Sequence, residues 1–251
     1  MSKTSGKTAV VILAAGKGTR MKSDKAKVLH EVMGRPLIDY VVEVSEAIAK
    51  GSVVVVVGHQ AEAVKAEVLS RREAFFALQT EQLGTGHAVM SAKDLIGPDA
   101  SQVVILCGDV PLVRRETLES LVAAHEESGR AVTVLAVSME NPTGYGRMVA
   151  DAEGSLSRIV EEKDATEDEK AISQVNSGIY CVDAAFLFSA LSRVKSDNAQ
   201  GEYYLTDIVE IAVEDGVGAG VLVGGIPEEV TGVNTVNDLE RVRQMVQSQA
   251  R

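Results

Sequence analysis

Short apolar runs rich in valine recur along the first half of the chain and alternate with segments of helical periodicity. The runs lie at 9–15, 53–58, 103–109 and 131–137. Runs of this length are too short for typical helices and are typical of strands covered on both faces of a parallel sheet. Helices are predicted between them at 36–50, 60–73, 84–95 and 114–129. The alternation predicts an α/β fold built on a doubly wound, mostly parallel sheet.

The pattern changes after about residue 140. Residues 146–164 alternate partly between apolar and polar on both sides of Glu153-Gly154, which predicts a β-hairpin. The acidic run at 161–169 is predicted to be a solvated loop. The remaining elements are predicted as strand 174–182, helix 183–194, loop 195–202, helix 204–215, strand 218–225 and helix 236–249. We therefore expect one domain over 1–251, with halves at about 1–140 and about 141–235 and a C-terminal helix at 236–251.

Composition restricts the function classes that the chain can serve. A net charge of −11, 4% aromatic residues and no Trp argue against broad attachment to nucleic acid or to an anionic membrane. No apolar run reaches the roughly 18 residues that span a bilayer, and lysines rather than a cleavage pattern follow the first run. Cys107 and Cys181 lie in apolar contexts without paired spacing, which favours buried thiols in a reducing compartment. A cytoplasmic location is predicted.

The first strand leads into a loop of almost bare backbone, Ala14-Ala15-Gly16-Lys17-Gly18-Thr19. We expect this loop at the carboxyl edge of the sheet, where open α/β folds bind their ligands. Residues 17–27 carry five lysines and arginines against one acid, a local charge of +4. Exposed N–H groups beside cations suit a bound polyphosphate. A tight turn with solvated lysines is the alternative interpretation.

Spacing excludes two familiar phosphate-binding motifs. The P-loop requires GxxxxGK[ST], and the run 16-GKGTR-20 has neither that spacing nor the final pair. The dinucleotide fingerprint requires GxGxxG, and Met21 stands where its third glycine belongs.

The loop begins a series of collinear motifs between about Ala9 and about Val242. The motifs read LAAGKGTRM, KAKVLHEVMGRPLI, EQLGTGHA, GDVPL, PTGYGRMV, IVEEKDA, NSGIY, NAQGEYYLTD and GVNT. Together they resemble the sugar-phosphate nucleotidyltransferases and, within them, the bacterial N-acetylglucosamine-1-phosphate uridyltransferases. The resemblance implies a Rossmann-like nucleotidyltransferase fold with a small β subregion for the sugar. Most members continue into a left-handed β-helix with acetyltransferase activity. This chain carries no hexapeptide repeats, so that activity is not expected of it.

The resemblance also implies roles for the matching residues. The catalytic residues would be Arg20 and Lys27, which neutralise the reacting phosphates. The UTP-binding residues would be Leu13, Ala14, Ala15, Gly16, Gln79, Gln82, Gly84 and Thr85, with Cys107 and Gly108 beside the reacting centre. Asp109 and Asn234 would hold Mg²⁺, which prefers hard oxygen ligands and substrate phosphates. The sugar would contact Gly146, Glu161 and Asn176, with Glu202 and Tyr204 lining or supporting that pocket.

Three positions depart from the family pattern. Ala26 stands where a proline usually precedes the lysine, so we expect a less restrained loop before Lys27. Cys107 replaces a frequent aromatic residue, which would remove a stacking or hydroxyl contact. Ser177 replaces a threonine, a mild change.

The predicted reaction is uridylyl transfer from UTP to N-acetylglucosamine 1-phosphate, which gives UDP-N-acetylglucosamine and pyrophosphate. A phosphate monoester with a second pKa of about 6 is already largely ionised at neutral pH, so no general base is needed. Positioning and charge stabilisation then supply most of the catalysis. The alternatives are transfer to another sugar 1-phosphate and a nucleotide-binding regulatory module without catalysis. A nicotinamide-dependent oxidoreductase is disfavoured by the glycine spacing.

Overall fold

The computed structural model describes residues 7–224 and 226–249, without the side chain of Gln249. Its strands are β1 Lys7–Ala14, β2 Glu31–Val32, β3 Arg35–Pro36, β4 Val53–Val57, β5 Phe75–Leu78, β6 Ala100–Cys107, β7 Val132–Ser138, β8 Arg147–Ala150, β9 Leu156–Val160, β10 Gln174–Asp183 and β11 Ala219–Val223. Its α-helices are α1 Leu37–Ile48, α2 Ala61–Leu69, α3 Thr85–Ser91, α4 Arg115–Ser128, α5 Glu167–Lys170, α6 Ala184–Leu191, α7 Asp207–Glu214 and α8 Val236–Gln249. The predicted order of elements is thus confirmed, apart from β2, β3, β5 and α5, which were not predicted.

The central sheet has the strand order β11-β7-β10-β6-β1-β4-β5, and β8 and β9 join it beside β10. Strands β1, β4, β5 and β6 pair in parallel, as do β7 and β11. Strand β10 runs antiparallel to both β6 and β7. The predicted doubly wound, mostly parallel sheet is confirmed, with one central strand reversed.

Register brings the ends of distant segments to one edge of this sheet. Leu13 in β1 pairs with Val56 in β4 and with Cys107 in β6, so the loops after all three strands leave the same edge. Because β10 is antiparallel, with Tyr180 opposite Ile105, the beginning of β10 lies at the edge where β6 ends. The sheet therefore places the residues after β1 and β6 next to Asn176.

Two apolar layers cover the sheet because the strands are apolar on both faces. One layer packs α3, α6 and α7 on residues such as Val11 and Ile105. The other packs α1, α2 and α4 on residues such as Val10 and Ile12. A third, smaller cluster holds α8 against Met21, Val32 and Leu37, next to the loop that follows β1. No helix among the described residues is long and apolar enough to cross a membrane.

The predicted hairpin after residue 140 is present as β8 and β9, whose pairing is antiparallel. The acidic run at 161–169 is not loop throughout, because its last residues begin α5. Thr166 accepts a hydrogen bond from the backbone N–H of Glu169, whose carboxylate accepts from the N–H of Thr166, and this reciprocal capping box starts the short helix. Both ends of the predicted 1–251 unit and the last residue of predicted strand 218–225 lie outside the described residues.

Candidate active site

The loop after β1 packs closely on the segment that carries Lys27. Gly18 has φ +61°, and a Cβ built there would lie 2.6 Å from the Cβ of Lys27. Gly58 supports the loop from β4, where an added Cβ would lie 2.9 Å from the Cβ of Ala15. Both contacts require glycine, since a side chain at either position would push the two segments apart. The bare backbone therefore lets Lys27 approach the strand edge.

Gln60 restrains the backbone that leads to Lys27. Its Oε1 accepts a hydrogen bond of 2.8 Å from the N–H of Ala26, and its Nε2 donates to the carbonyl of Asp24. Ala26 is buried and has φ −53°, close to the value that a proline ring would fix. The less restrained loop expected from Ala26 is thus held instead by a side-chain amide from the β4–α2 connection.

Four polar side chains from three parts of the chain meet at the edge of the sheet. The ammonium of Lys27 forms an ion pair with Asp109 Oδ2 and lies 3.1 Å from Asn234 Oδ1. The guanidinium of Arg20 donates to the same Asn234 oxygen at 2.9 Å. The backbone N–H of Val233 donates to the carbonyl of Asp109 at 2.9 Å, which ties the two loops together. The two predicted catalytic cations and the two predicted metal ligands thus form one group.

The donor atoms of this group suit a hard divalent cation. Asp109 Oδ2 and Asn234 Oδ1 converge on one point, since both contact the ammonium of Lys27. The described residues contain no cluster of three or more His, Cys, Asp or Glu side chains that could hold a metal. One carboxylate and one amide match the way Mg²⁺ binds, with few protein ligands and the remainder from phosphates and water.

A cavity of about 280 Å³ opens beside this group, under the loop after β1. The predicted nucleotide-binding residues that line it are Leu13, Ala14, Ala15, Gly16, Lys27, Gln79, Gln82, Gly84, Thr85, Cys107 and Asp109. Residues distant in sequence therefore share one pocket. Gly108 is not on its wall: it packs behind the pocket, where an added Cβ would lie 3.1 Å from both Ile38 Cδ1 and Leu13 O. Its role as a substrate contact remains a prediction.

Gln79 shapes this cavity as well as lining it. Its side chain is buried, and its Nε2 donates to the carbonyl of Gly84 at 3.1 Å. Gly84 has φ +110°, and an added Cβ would lie 2.6 Å from the carbonyl oxygen of Tyr203. The turn before α3 thus depends on glycine and on a contact with the 198–205 segment.

That segment joins the two sides of the site. The N–H of Tyr203 donates to the carbonyl of Leu83 at 2.8 Å, and its carbonyl accepts from the N–H of Gly86 at 2.8 Å. On the other side, the hydroxyl of Tyr204 donates to Asp164 Oδ2 at 3.1 Å. Glu202 lines the 280 Å³ cavity and not the pocket that contains the predicted sugar residues, and Tyr204 is buried in a supporting position.

A second cavity, of about 200 Å³, adjoins the first and shares Leu13, Thr85 and Cys107 with it. The three predicted sugar residues, Gly146, Glu161 and Asn176, all line this second cavity. The amide of Asn176 is held at both ends, because its Nδ2 donates to the Tyr180 hydroxyl at 2.7 Å and its Oδ1 accepts from the N–H of Gly178 at 2.9 Å.

Burial changes the pKa values of two side chains that line these cavities. Burial raises the pKa of Glu161, and the Thr206 hydroxyl 3.3 Å away opposes this shift. Burial also raises the pKa of Cys107 to about 12, and the charge of Asp109 adds to the rise. The Cys107 thiol is therefore protonated at neutral pH. It contributes shape and a weak contact of 3.8 Å with the Gly178 carbonyl, not a nucleophile.

Arg20 and Asn234 line a third, wider cavity of about 850 Å³ that also reaches Asp109. Arg20 and Asn234 are therefore accessible from this wider cavity, whereas neither lines the first one. Sequence reasoning placed Gly18 in the predicted phosphate loop without its contact to Lys27, and it missed four further residues that shape the site: Gly58, Gln60, Tyr180 and Thr206. The glycine repeat in 16–18 and the runs NSGIY and YLTD contained the signal for Gly18, Tyr180 and Thr206. Nothing local marks Gln60.

The fold and this constellation define a class of enzyme. The nucleotidyl transferase family model matches residues 9–224, and the chain belongs to that family. Enzymes of this kind act on small-molecule nucleotide and sugar-phosphate substrates and generally use a divalent metal ion. The resemblance to the nucleotidyltransferases seen in the sequence is confirmed.

The relatives that this chain matches include proteins named bifunctional protein GlmU. The chain is 51% identical to that of Geobacter metallireducens over 229 residues, which are 91% of this chain and 48% of the relative. It is 50% identical to that of Anaeromyxobacter sp. strain K over 249 residues, which are 98% of this chain and 51% of the relative. The chain spans about half the length of the curated relatives it matches.

A solved structure supports the fold. A Bacillus anthracis protein described as a candidate glucose-1-phosphate thymidylyltransferase, crystallised with sucrose, superimposes with a TM-score of 0.73. It is 20% identical, and the match covers 95% of this chain and 94% of that one. At that identity the likeness shows the fold alone.

Proposed function

We propose that this protein transfers a uridylyl group from UTP to N-acetylglucosamine 1-phosphate and so makes UDP-N-acetylglucosamine and pyrophosphate. The observation that carries the proposal is the junction of the two cavities beside Lys27, Asp109 and Asn234. A nucleotide in one cavity and a sugar phosphate in the other would meet at the charged group. Identity of about 50% with the GlmU proteins supports the choice of base and sugar.

The nucleotide side would recognise uracil by shape and by polar complementarity. Uracil presents two carbonyl acceptors and one imide donor, which carboxamides and backbone groups can pair. Gln79, Gln82 and the turn at Gly84 supply such groups in the larger cavity. The small side chains of Ala14, Ala15 and Gly16 would let the backbone approach the phosphates.

The reaction would be an in-line displacement at the α-phosphorus of UTP. An oxygen of the sugar phosphate forms the new P–O bond as the bond to pyrophosphate breaks, and the leaving group carries away the electron pair. Lys27 and Arg20 would neutralise charge on the entering and leaving phosphates through their ammonium and guanidinium groups. Mg²⁺ held by Asp109 and Asn234 would supply further positive charge at the triphosphate.

The sugar side would select the acceptor by its N-acetyl and hydroxyl groups. Asn176 is held in one orientation and Glu161 lies in a sparsely hydrated site, so both offer fixed hydrogen-bonding partners. Gly146 leaves room at the wall, where a Cβ would lie 3.0 Å from Ile159 Cγ2 and 3.6 Å from Glu161 Oε1.

A substrate panel tests the proposal. Pyrophosphate release would be measured with UTP, dTTP, ATP, CTP and GTP against N-acetylglucosamine 1-phosphate and glucose 1-phosphate, with Mg²⁺ and with excess chelator. We expect turnover with UTP and N-acetylglucosamine 1-phosphate that chelator abolishes. Preference for glucose 1-phosphate or dTTP would reject the assigned substrates, and turnover in chelator would reject the metal.

Asp109→Ala provides the matching variant. We expect a loss of about 10³-fold or more in kcat with an unchanged circular dichroism spectrum, because the metal anchor and the partner of Lys27 both disappear. Asp99→Ala is the control, since Asp99 forms a solvent-exposed ion pair with Lys7 at the other end of the sheet. Equal losses in both variants would show that Asp109 has no special role.

A further inference from the structure

A fully buried arginine lies directly behind the wall of the sugar-side cavity. Arg147 begins β8 and is 1% exposed. The wall in front of it, which we call the Tyr145 wall, consists of residues 144–146, and all three line the cavity. The backbone carbonyl of Gly146 in turn accepts a hydrogen bond from the N–H of Asn176 at 2.9 Å. The wall is therefore continuous with the opposite side of the pocket.

The guanidinium of Arg147 is connected to this wall in two ways. Its Nη1 donates to the backbone carbonyl of Tyr145. Its Nη2 forms an ion pair of 2.7 Å with Glu162 Oε2, which also accepts from the N–H of Gly144 at 3.1 Å. The backbone hydrogen bond from Gly144 and the charge of Arg147 lower the pKa of Glu162, which is therefore ionised at neutral pH. The buried guanidinium thus holds Tyr145 directly and Gly144 through Glu162.

Stability alone does not explain this arrangement. A buried ion pair is weak evidence for stability, since desolvation offsets much of the attraction. Here the Nε of Arg147 is also buried without a hydrogen-bond partner, which is unfavourable in itself. A hydrophobic side chain of similar volume would fill the space without either penalty. The ion pair does, however, hold the Tyr145 wall. Its carboxylate partner, Glu162, also follows directly after Glu161, which lines the cavity just beyond the end of β9.

We propose that Arg147, through Glu162 and the Tyr145 carbonyl, is a positioning residue that sets the shape of the sugar pocket and thereby the affinity for the sugar moiety. It touches neither the pocket interior nor the group around Lys27, so it acts only through the wall. The proposal rests on the proposed function for the identity of the sugar. The position of the wall itself does not depend on that assignment.

Two variants and a matched control test the proposal. Arg147→Met removes both connections to the wall while keeping side-chain volume, and Glu162→Gln keeps an acceptor for Gly144 but removes the charge that orients Arg147. Glu169→Gln is the control, because Glu169 pairs with Arg158 in the same β subregion but lies outside the cavity. Thermal unfolding of each variant checks that it is folded, and Glu162→Gln decides the question if Arg147→Met does not fold.

The first measurement is hydrogen–deuterium exchange in peptides covering residues 142–148, without any ligand. We expect exchange about tenfold faster in Arg147→Met, about threefold faster in Glu162→Gln and unchanged in Glu169→Gln. The second is calorimetric binding of UDP-N-acetylglucosamine and of UDP, with Mg²⁺ present. The affinity for the sugar nucleotide should fall about tenfold in Arg147→Met, about 1.4 kcal/mol, while the affinity for UDP changes less than twofold.

The outcomes separate this proposal from the proposed function. Unchanged exchange in the folded variants would overturn the role of Arg147 in holding the wall. Faster exchange would overturn its role in sugar affinity if the affinities for UDP and UDP-N-acetylglucosamine fell equally. The same conclusion would follow if neither affinity fell. If the wild-type protein binds UDP-N-acetylglucosamine no more tightly than UDP or UDP-glucose, the sugar assignment is wrong. The exchange measurement would still test whether Arg147 holds the wall, because it needs no ligand.

Discussion

The contact between Gln60 and Ala26 can be tested by two substitutions that are each harmful alone and should compensate for one another when combined. Gln60→Ala removes the acceptor of the Ala26 N–H and the donor to the Asp24 carbonyl. Ala26→Pro removes that N–H and fixes φ near −65°, close to the −53° observed. The proline ring would occupy the space in which the Gln60 amide lies. The two changes should therefore compensate for one another.

The magnitude follows from the burial of Ala26. Gln60→Ala leaves a buried N–H without a partner, which costs about 1–3 kcal/mol. Ala26→Pro in the wild-type background should cost a similar amount, because its ring carbons meet Gln60. In the double variant no donor is orphaned, the space is free and the stiffer unfolded chain adds about 0.4–1 kcal/mol. We expect the double variant to lie within about 1 kcal/mol of the wild type.

Thermal unfolding and kcat/KM with UTP would measure the cycle. Each kcal/mol corresponds to roughly 2–4 °C in Tm for a chain of this size. We expect each single variant to lose about tenfold in kcat/KM, because Lys27 is less well placed, and the double variant to recover most of it. If the losses of the two single variants simply add, Gln60 does not restrain the approach to Lys27, and this reasoning is wrong.

Three further outcomes follow from the geometry. Burial, with help from Glu210, raises the pKa of Asp207 to about 6. Ionisation therefore destabilises the native state as pH rises through about 4 to 6, so Asp207→Asn should add about 1–2 kcal/mol at pH 8 and little at pH 4, measured by Tm against pH. Because burial raises the pKa of Cys107 to about 12, alkylation by iodoacetamide at pH 7.5 should be at least ~100-fold slower than for free cysteine, and labelling at the free rate would contradict this. Gly84→Ala should weaken UTP binding by more than ~2 kcal/mol, since the new Cβ meets the Tyr203 backbone; calorimetry showing unchanged affinity would refute the clash.

The sequence predicted most of the architecture because its signals are local. Valine-rich runs and helical periodicity gave the positions of β1, β4, β6 and β7 and of the major helices within a few residues. Strand β5 has only four residues and no alternation, and the two-residue strands β2 and β3 have no detectable pattern. Helix α5 was missed although Thr166 and Glu169 have the spacing of a capping box, because the acidic run around them was interpreted as a solvated loop.

The site was predictable to a lesser degree from the residues themselves. The bare loop and local positive charge pointed to a phosphate ligand, but base, sugar and metal roles came from the resemblance. The convergence of Lys27, Asp109 and Asn234 depends on contacts across as many as 207 positions in the chain, which no local pattern encodes. Gln60 and Arg147 were missed for the same reason, since each acts on a backbone segment that a sequence motif does not describe.

The 198–205 segment has a consequence for attempts to change the range of substrates. It makes hydrogen bonds to Leu83 and Gly86 on one side and to Asp164 on the other. On the proposed function, changes at Tyr204 or Asp164 that are meant to alter the sugar pocket will therefore also disturb the turn that shapes the nucleotide pocket.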